Sequence, residues 1–342
     1  MNDINGTTGT ADTTGTNLTC GVALCTFNGQ QYLQAQLDSI AAQSVLPDRI
    51  VVCDDGSTDG TWALLIAWQA RCLMPVSLHR NTQRQNVTAN FAQAIERLDT
   101  DLIFLCDQDD IWLPDKVARM RQAFQEDPQI LLVHSDAELI DGDGRALGKT
   151  LLGELAVDAI ERAAIHCRRA FEVLVRRNVI TGATTAIRRS LLAQALPMPR
   201  GFFHDEWLGF VACLTGRVAL LDEATIRYRQ HGGNVVGVRR LPWQMVLRQY
   251  WWQINKPDSR EDVRRTLMMR EVLFDRIARR SLVRPDQLPA LQEAVAFARF
   301  RSAPPQRSVV RTAHAAWHLL CGKYWRSTPL PFLEFTRDVI NR

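Results

Sequence analysis

No run of about eighteen apolar residues interrupts the 342-residue chain, so no segment reads as a membrane-spanning helix. The eight cysteines, at 20, 25, 53, 72, 106, 167, 213 and 321, include no Cys-x-x-Cys pair and no metal-ligand spacing with histidine. Cysteine-held metal is thereby excluded, and Cys25, Cys53 and Cys106, set inside apolar runs, read as small buried hydrophobes of a reduced, cytoplasmic protein. No internal repeat is present. The N-terminal MNDINGTTGTADTTGTNLT lacks the basic-then-apolar order of a signal peptide, and residues 1–18 are expected to form a disordered tail.

What the chain does contain is an ordinary globular composition, 46% hydrophobic and 23% charged, long enough for one large domain or two of ordinary size. The net charge of +4 hides a division. From Arg239 onward there are 20 Lys and Arg against 9 Asp and Glu, a balance of +11, while the first 238 residues carry −7. Such asymmetry implies different partners for the two segments.

Short apolar or β-branched runs alternate with helical stripes. CGVALC (20–25), RIVVC (49–53), VSLH (76–79), DLIFLC (101–106) and ILLVH (130–134) predict strands. Between them, Leu33, Leu37 and Ile40, then Trp62, Leu65 and Ile66, then Val87, Phe91 and Ile95, then Val117, Met120 and Phe124 mark helix faces, the last with Pro114 in its first turn. The alternation predicts an α/β fold with a mainly parallel sheet flanked by helices, whose ligands bind at the carboxyl ends of the strands. CTFNGQ, CDDGSTDG and CDQDD all fall there. Further on, LIDGDGRALG reads as a turn between strands, 154–180 as helical, VITGATTAIRRSLL as a strand entering a helix, and RVALLDEATIRYRQHGGN as two short strands and a glycine loop. A boundary is expected near Gly237, separating residues 19–238 from a helical, basic, Trp- and Arg-rich region at 239–342.

The stretch LCDQDDIWLPD places Asp107, Asp109, Asp110 and Asp115 beside an apolar strand end, where like charges repel and need a counter-charge. An Asp-x-Asp with a second carboxylate pair from a neighbouring strand suits Mg²⁺ or Mn²⁺, which takes one or two carboxylates and fills its remaining positions with water and phosphate. Solvated turn residues are the plain alternative.

Taken in order, VALCTFNG, VVCDDGSTDGT, FLCDQDDIWLPDK and HDEW…YRQHGGNVVG resemble the family 2 glycosyltransferases of GT-A fold, and most of all their bacterial rhamnosyltransferase-like branch. The resemblance covers about residues 20–238. It implies that Thr26, Phe27 and Asn28 line the nucleotide pocket and that Asp55, with Asp54, accepts the imide N–H of uracil or thymine. It also implies that Asp107 and Asp109 form the Asp-x-Asp at ribose and metal, with Asp110 an alternative ligand and His231 reaching metal or diphosphate. Asp205 stands where the family has its base, and Glu206 follows directly, so either carboxylate fits that role. Asp54 and Asp55 as helix caps, His204 as a satisfied structural histidine, His231 as a turn residue, and Trp112 and Trp207 as core are the structural alternatives.

The implied activity is inverting, metal-dependent sugar transfer from a dTDP- or UDP-sugar, with L-rhamnose the sugar the branch suggests. The acceptor is a glycan or polyprenyl-linked hydroxyl in cell-surface polysaccharide (lipopolysaccharide, O-antigen) synthesis, and no nucleic acid is among the expected partners. A sugar nucleotidyltransferase would carry a glycine- and basic-rich loop after the first strand, and a haloacid-dehalogenase-type phosphatase would have Thr or Val after its Asp-x-Asp. This chain has neither. A catalytically silent nucleotide-sugar-binding or scaffolding protein is the remaining alternative. For the C-terminal region, helices packed on the catalytic domain compete with a peripheral surface for anionic inner-membrane lipid.

Overall fold

The computed structural model describes residues 17–199, 202–232, 271, 288–302, 308–321, 323 and 335. The proposed boundary near Gly237, most of the tail and the Trp- and Arg-rich segments at 241–254 and 263–283 lie outside, apart from Glu271.

The predicted strand–helix alternation forms as β1 (Cys20–Thr26), α1 (Gln30–Ala41), β2 (Arg49–Asp54), α2 (Thr61–Gln69), β3 (Val76–Arg80), α3 (Val87–Glu96) and β4 (Leu102–Cys106). These strands lie in the order β3-β2-β1-β4, each parallel to its neighbour. Successive side chains of a strand point to opposite faces, and here both faces are covered, which is why the strands read as unbroken apolar runs. Val22, Leu24, Ile50, Val52 and Phe104 meet Leu33 and Leu37 of α1 and Leu65 of α2 on one face. Ala23, Val51, Ile103 and Leu105 meet Phe91 and Ile95 of α3 on the other.

The second half adds β5 (Ile111–Trp112), α4 (Lys116–Glu126), β6 (Ile130–Ile140), β7 (Ala146–Thr150), β8 (Thr185–Arg188) and β9 (Arg217–Arg229). β8 lies antiparallel between β4 and β6, and β9 runs parallel to β6. β6 and β9 therefore run with the first four strands, while β5, β7 and β8 oppose them. The sheet is mainly parallel, as expected.

Three boundaries differ from the sequence reading. RVALLDEATIRYR is one strand of 13 residues and not two, because register shifts against β6 near Ser135 and Asp136 absorb the polar Asp222-Glu223 step without breaking the ladder. The region 154–180 divides into α5 (Leu151–Glu154), α6 (Ala159–His166) and α7 (Ala170–Leu174). Ala156 and Arg168, at φ 53° and 66°, turn the chain between them, and Asp158 with Glu161 forms a reciprocal cap on α6. Helix α4 starts at Lys116, two residues beyond Pro114.

The segment 181–195 passes through a 3₁₀ turn (Gly182–Thr184), β8 and α8 (Leu192–Ala195). It precedes α9 (His204–Thr215), whose Trp207 is wholly buried with its indole N–H on Ala195 O at 2.7 Å. Helices α10 (Leu288–Ser302) and α11 (Ser308–Leu320) follow, and α10 sets Leu291, Ala294 and Val295 into the core beside α9. Among the described residues no helix is long and apolar enough to cross a membrane.

Candidate active site

The turns after β1, β2 and β4 emerge at one edge of the sheet and carry the acidic clusters. After β1, Asn28 sits in the left-handed region at φ 48°, a conformation Asn tolerates better than most residues. Its Oδ1 accepts Thr58 N at 2.8 Å, and Gln108 brackets Phe27 by accepting its N–H at 2.8 Å and donating to its carbonyl at 3.0 Å. The Arg84 guanidinium lies 4.0 Å from the centroid of the Phe27 ring. The β1 turn is thus tied to both the β2 and β4 turns.

The two aspartates after β2 have different surroundings. Asp54 is wholly buried and accepts Thr26 Oγ1 at 2.9 Å, Ser57 N at 2.9 Å and the Ser57 hydroxyl, with Arg80 Nε at 3.5 Å. It stitches β1 to the β2 turn. Asp55 accepts Asn81 Nδ2 at 2.9 Å and Gln85 N at 2.7 Å on one oxygen, and Asn86 N at 3.1 Å on the other. Neither caps α2, where Asp59 accepts Thr61 N and Oγ1 instead. Asp55 keeps acceptor capacity on Oδ2 and borders the 81–86 loop, so it is the better placed of the two to receive an imide N–H.

After β4, Asp107 and Asp109 are partly exposed and Asp110 is buried. Burial first, then the charges of Asp109 and Asp205, together push the Asp107 carboxyl up to about 8. Asp109 Oδ2 lies 2.8 Å from His231 Nε2, whose ring is 4.6 Å from that of Tyr32. Asp110 Oδ1 accepts Arg229 N at 2.9 Å, while its buried Oδ2 has no hydrogen-bond partner among the described residues. The Asp110 carboxyl is held well above its usual range, first by burial and then by Asp109 and Asp107. Arg229 braces this corner, donating to the carbonyls of Asp109 at 2.8 Å and Gly142 at 3.1 Å with its guanidinium over Tyr32.

The counter-charge that the sequence called for is partly internal. Lys116 is fully buried, donates to Ala183 O at 2.8 Å and lies 4.8 Å from the Trp112 ring centroid. Burial pushes its ammonium down to about 7, against the upward pull of Cys106, Asp110 and Asp107. Sequence reasoning gave Lys116 no role, because lysine is normally a surface residue. Its one signal is position, since it closes the same DQDDIWLPDK segment that carries the aspartates.

Asp205 and Glu206 lie in the first turn of α9, where the helix dipole favours carboxylates. Asp205 Oδ2 accepts Gly182 N at 3.0 Å and Oδ1 accepts Glu206 N at 2.7 Å, which fixes the carboxylate plane and leaves lone pairs on both oxygens. His204 is buried and stacks on Phe91 with 3.9 Å between ring centroids, but neither ring nitrogen has a hydrogen-bond partner among the described residues. It is structural without being satisfied. Trp112 and Trp207 are core.

Among the described residues, no three of His, Cys, Asp and Glu converge as a ready-made metal cage. The donor set is still a fit for a hard divalent ion, since two partly exposed carboxylates are what Mg²⁺ or Mn²⁺ takes from a protein when phosphates complete its shell.

Residues 21–195 match the model of the family described as Glycosyl transferase family 2. The chain is 24% identical over 225 residues to an uncharacterized glycosyltransferase of Nostoc sp., covering 62% of this chain and 65% of that relative, short of two thirds of its length. It is 31% identical over 98 residues to the dTDP-rhamnosyl transferase RfbG of Shigella flexneri, covering 28% of this chain and 34% of the relative. In three dimensions it superposes on S. aureus TarS 1-349, solved in complex with UDP-GlcNAc, with a TM-score of 0.53 and 16% identity, covering 95% of this chain and 89% of that one.

Proposed function

The chain belongs to glycosyl transferase family 2, whose model spans just over half of it, and from that premise we propose an inverting, divalent-cation-assisted transfer of a sugar from a nucleoside diphosphate to an acceptor hydroxyl. The observation that supports this reading is that two acidic groups are tied to one short turn: Asp205 Oδ2 accepts Gly182 N at 3.0 Å, and Lys116, from the segment that carries Asp107 and Asp109, donates to the neighbouring Ala183 O at 2.8 Å. The charge of Asp205 also helps, after burial and the charge of Asp109, to raise the Asp107 carboxyl. A donor's diphosphate at the Asp107–Asp109 turn and an acceptor hydroxyl at Asp205 would flank the same anomeric carbon.

In this scheme Phe27, Asn28 and Asp55, on the Thr26–Asp54 stitch, receive the nucleoside. Asp107 and Asp109 would hold the cation, beside the buried Asp110 and with His231 on Asp109. Once bound there, a cation would supply charge neutralisation at the leaving diphosphate. Asp205 takes the acceptor's hydroxyl proton as the new O–C bond forms and the bond to the diphosphate breaks on the opposite side. Glu206, one residue on, is the alternative base. No covalent sugar–enzyme intermediate is involved.

The short match to a dTDP-rhamnosyl transferase favours dTDP-L-rhamnose among the donors, with a glycan or lipid-linked acceptor of a surface polysaccharide. A β-linked dTDP-rhamnose would then give an α-linked product. A second reading concerns the membrane. Trp317 and Leu320, three residues apart on α11, are 63% and 83% exposed in a region whose sequence is strongly basic. That combination suits peripheral contact with anionic lipid.

The scheme is tested by Asp205→Asn with Glu206→Gln as its control, measuring nucleotide affinity and sugar transfer separately. Asp205→Asn is expected to bind nucleotide as the parent does and to lose about 10²–10⁴-fold in transfer. If Glu206→Gln alone is inactive, the two roles are exchanged. Normal transfer by both variants refutes a base at this helix start.

A further inference from the structure

The Gly182–Thr184 turn contributes no side chain to the scheme above, yet three unusual features converge on it. From one side comes the fully buried Lys116, whose side chain, among the described residues, has one hydrogen bond, to Ala183 O at 2.8 Å. A buried ammonium is costly, and it is tolerated where it fixes a geometry or answers a fixed charge. Lys116 does both. It follows the aspartate turn in the same segment, and the charges of Asp110 and Asp107 act on its ammonium.

From the other side comes α9. The Gly182 N–H donates to Asp205 Oδ2 at 3.0 Å, and a Cβ at Gly182 would lie 2.6 Å from His204 Nε2 and 3.3 Å from its Cε1. Only a glycine allows this approach. His204 cannot retreat, because its ring is buried and stacked on Phe91 at 19° between planes. A second contact presses the same surfaces together, since a Cβ at Gly209 of α9 would lie 2.5 Å from Ile180 Cδ1. The turn is also stiff, with Thr181 O accepting Thr184 N at 3.0 Å and both the Thr184 and Thr185 hydroxyls at 2.9 Å.

We propose that this turn is the positioning element of the reaction, gripped by Lys116 on the donor side and by Gly182, His204 and Asp205 on the acceptor side, so that it sets the distance between donor and base. Lys116, Gly182 and His204 are positioning residues, and none of them touches the substrates. The inference rests on the assignment of Asp205 as base. It explains why a histidine with no hydrogen-bond partner among the described residues and a nearly lone buried lysine occupy neighbouring positions around one short turn. Placement matters at this scale because a shift of about 1 Å in a reacting group can cost roughly 10²-fold in rate.

The test compares Gly182→Ala, Gly182→Ala/His204→Ala, Lys116→Met and Asp205→Asn. Donor-binding sites are counted by calorimetric titration with dTDP or UDP and Mn²⁺, and single-turnover transfer is expressed per site. A merely structural role alters the number of sites or the melting temperature and leaves the rate per site unchanged. A positioning role lowers the rate per site by about 10- to 100-fold in Gly182→Ala and Lys116→Met, with nucleotide affinity within about twofold of the parent. The double variant relieves the clash and is expected to recover at least about tenfold over Gly182→Ala, a non-additivity that marks direct coupling. Parental rates per site in Gly182→Ala, beside an inactive Asp205→Asn, overturn the inference and leave the base in place. Normal transfer by Asp205→Asn overturns the base assignment itself. If Lys116→Met yields no binding sites, the Gly182 pair decides, and failure of the double variant to recover rate refutes the proposal.

Discussion

Replacing Asp54 by alanine should damage the fold before it damages recognition. The side chain is wholly buried and serves Ser57 N, the Thr26 and Ser57 hydroxyls and, at 3.5 Å, Arg80. The buried Ser57 N–H loses its acceptor, at about 1–3 kcal/mol. Two hydroxyls lose a charged acceptor and must turn elsewhere, at about 1 kcal/mol each. The Arg80 side chain is 44% exposed, so its contact is screened by solvent and adds about 0.5 kcal/mol or less. The total is about 3–5 kcal/mol, which for a domain of this size lowers the melting temperature by roughly 6–20 °C. Asp55→Asn, whose partners are the edge of the 81–86 loop, should cost less stability and more nucleotide affinity. Thermal and urea unfolding, with dTDP and UDP titrations under conditions where both variants are folded, separates the two. If Asp54→Ala unfolds within about 1 kcal/mol of the parent while nucleotide binding is lost, Asp54 reads the ligand and is no stitch.

His134 is buried with neither ring nitrogen hydrogen-bonded among the described residues, and burial holds its pKa near 4 against an ordinary 6.5. The unfolded chain binds this proton more readily, so the stability is present above pH 6.5 and is lost as pH falls toward 4, by up to about 3 kcal/mol. His134→Leu should flatten that part of the stability–pH curve in urea titrations, and an unchanged acid slope would show that other groups carry it. For the membrane reading, Trp317→Ser/Leu320→Ser should cut sedimentation with phosphatidylglycerol vesicles about tenfold or more and spare nucleotide binding. Equal binding of the parent to neutral and anionic vesicles would favour plain packing helices.

The first half of the fold was legible because its strands are buried on both faces. Runs such as Val51-Val52-Cys53 and Ile103-Phe104-Leu105 have no other plausible use, and the helices between them carry clean apolar stripes. β9 was misread because Asp222 and Glu223 interrupt the pattern, and only pairing with β6, far away in sequence, shows that the strand continues. The clustering of acidic turns at one sheet edge followed from topology alone. The division of labour between Asp54 and Asp55 did not, since it depends on Ser57, Asn81, Gln85 and Asn86 reaching them in space. Lys116 and the Gly182–His204 contact were equally hidden. A lysine after a proline reads as a solvated helix start, and Gly182 fell inside VITGATTAIRRSLL, read as a strand entering a helix, where the chain instead makes a 3₁₀ turn.

In the proposed mechanism the Asp107–Asp109 turn handles a nucleotide sugar with the help of a divalent ion. The most direct measurement is sugar turnover from a panel of donors, dTDP-L-rhamnose and UDP-sugars included, with Mn²⁺ or Mg²⁺ and then with EDTA, for the parent and for Asp109→Asn. Turnover of one donor class with Mn²⁺ or Mg²⁺, its loss in EDTA, and its loss in Asp109→Asn with the fold intact are the predicted results. Full activity in EDTA, or in a folded Asp109→Asn variant, would contradict the claim.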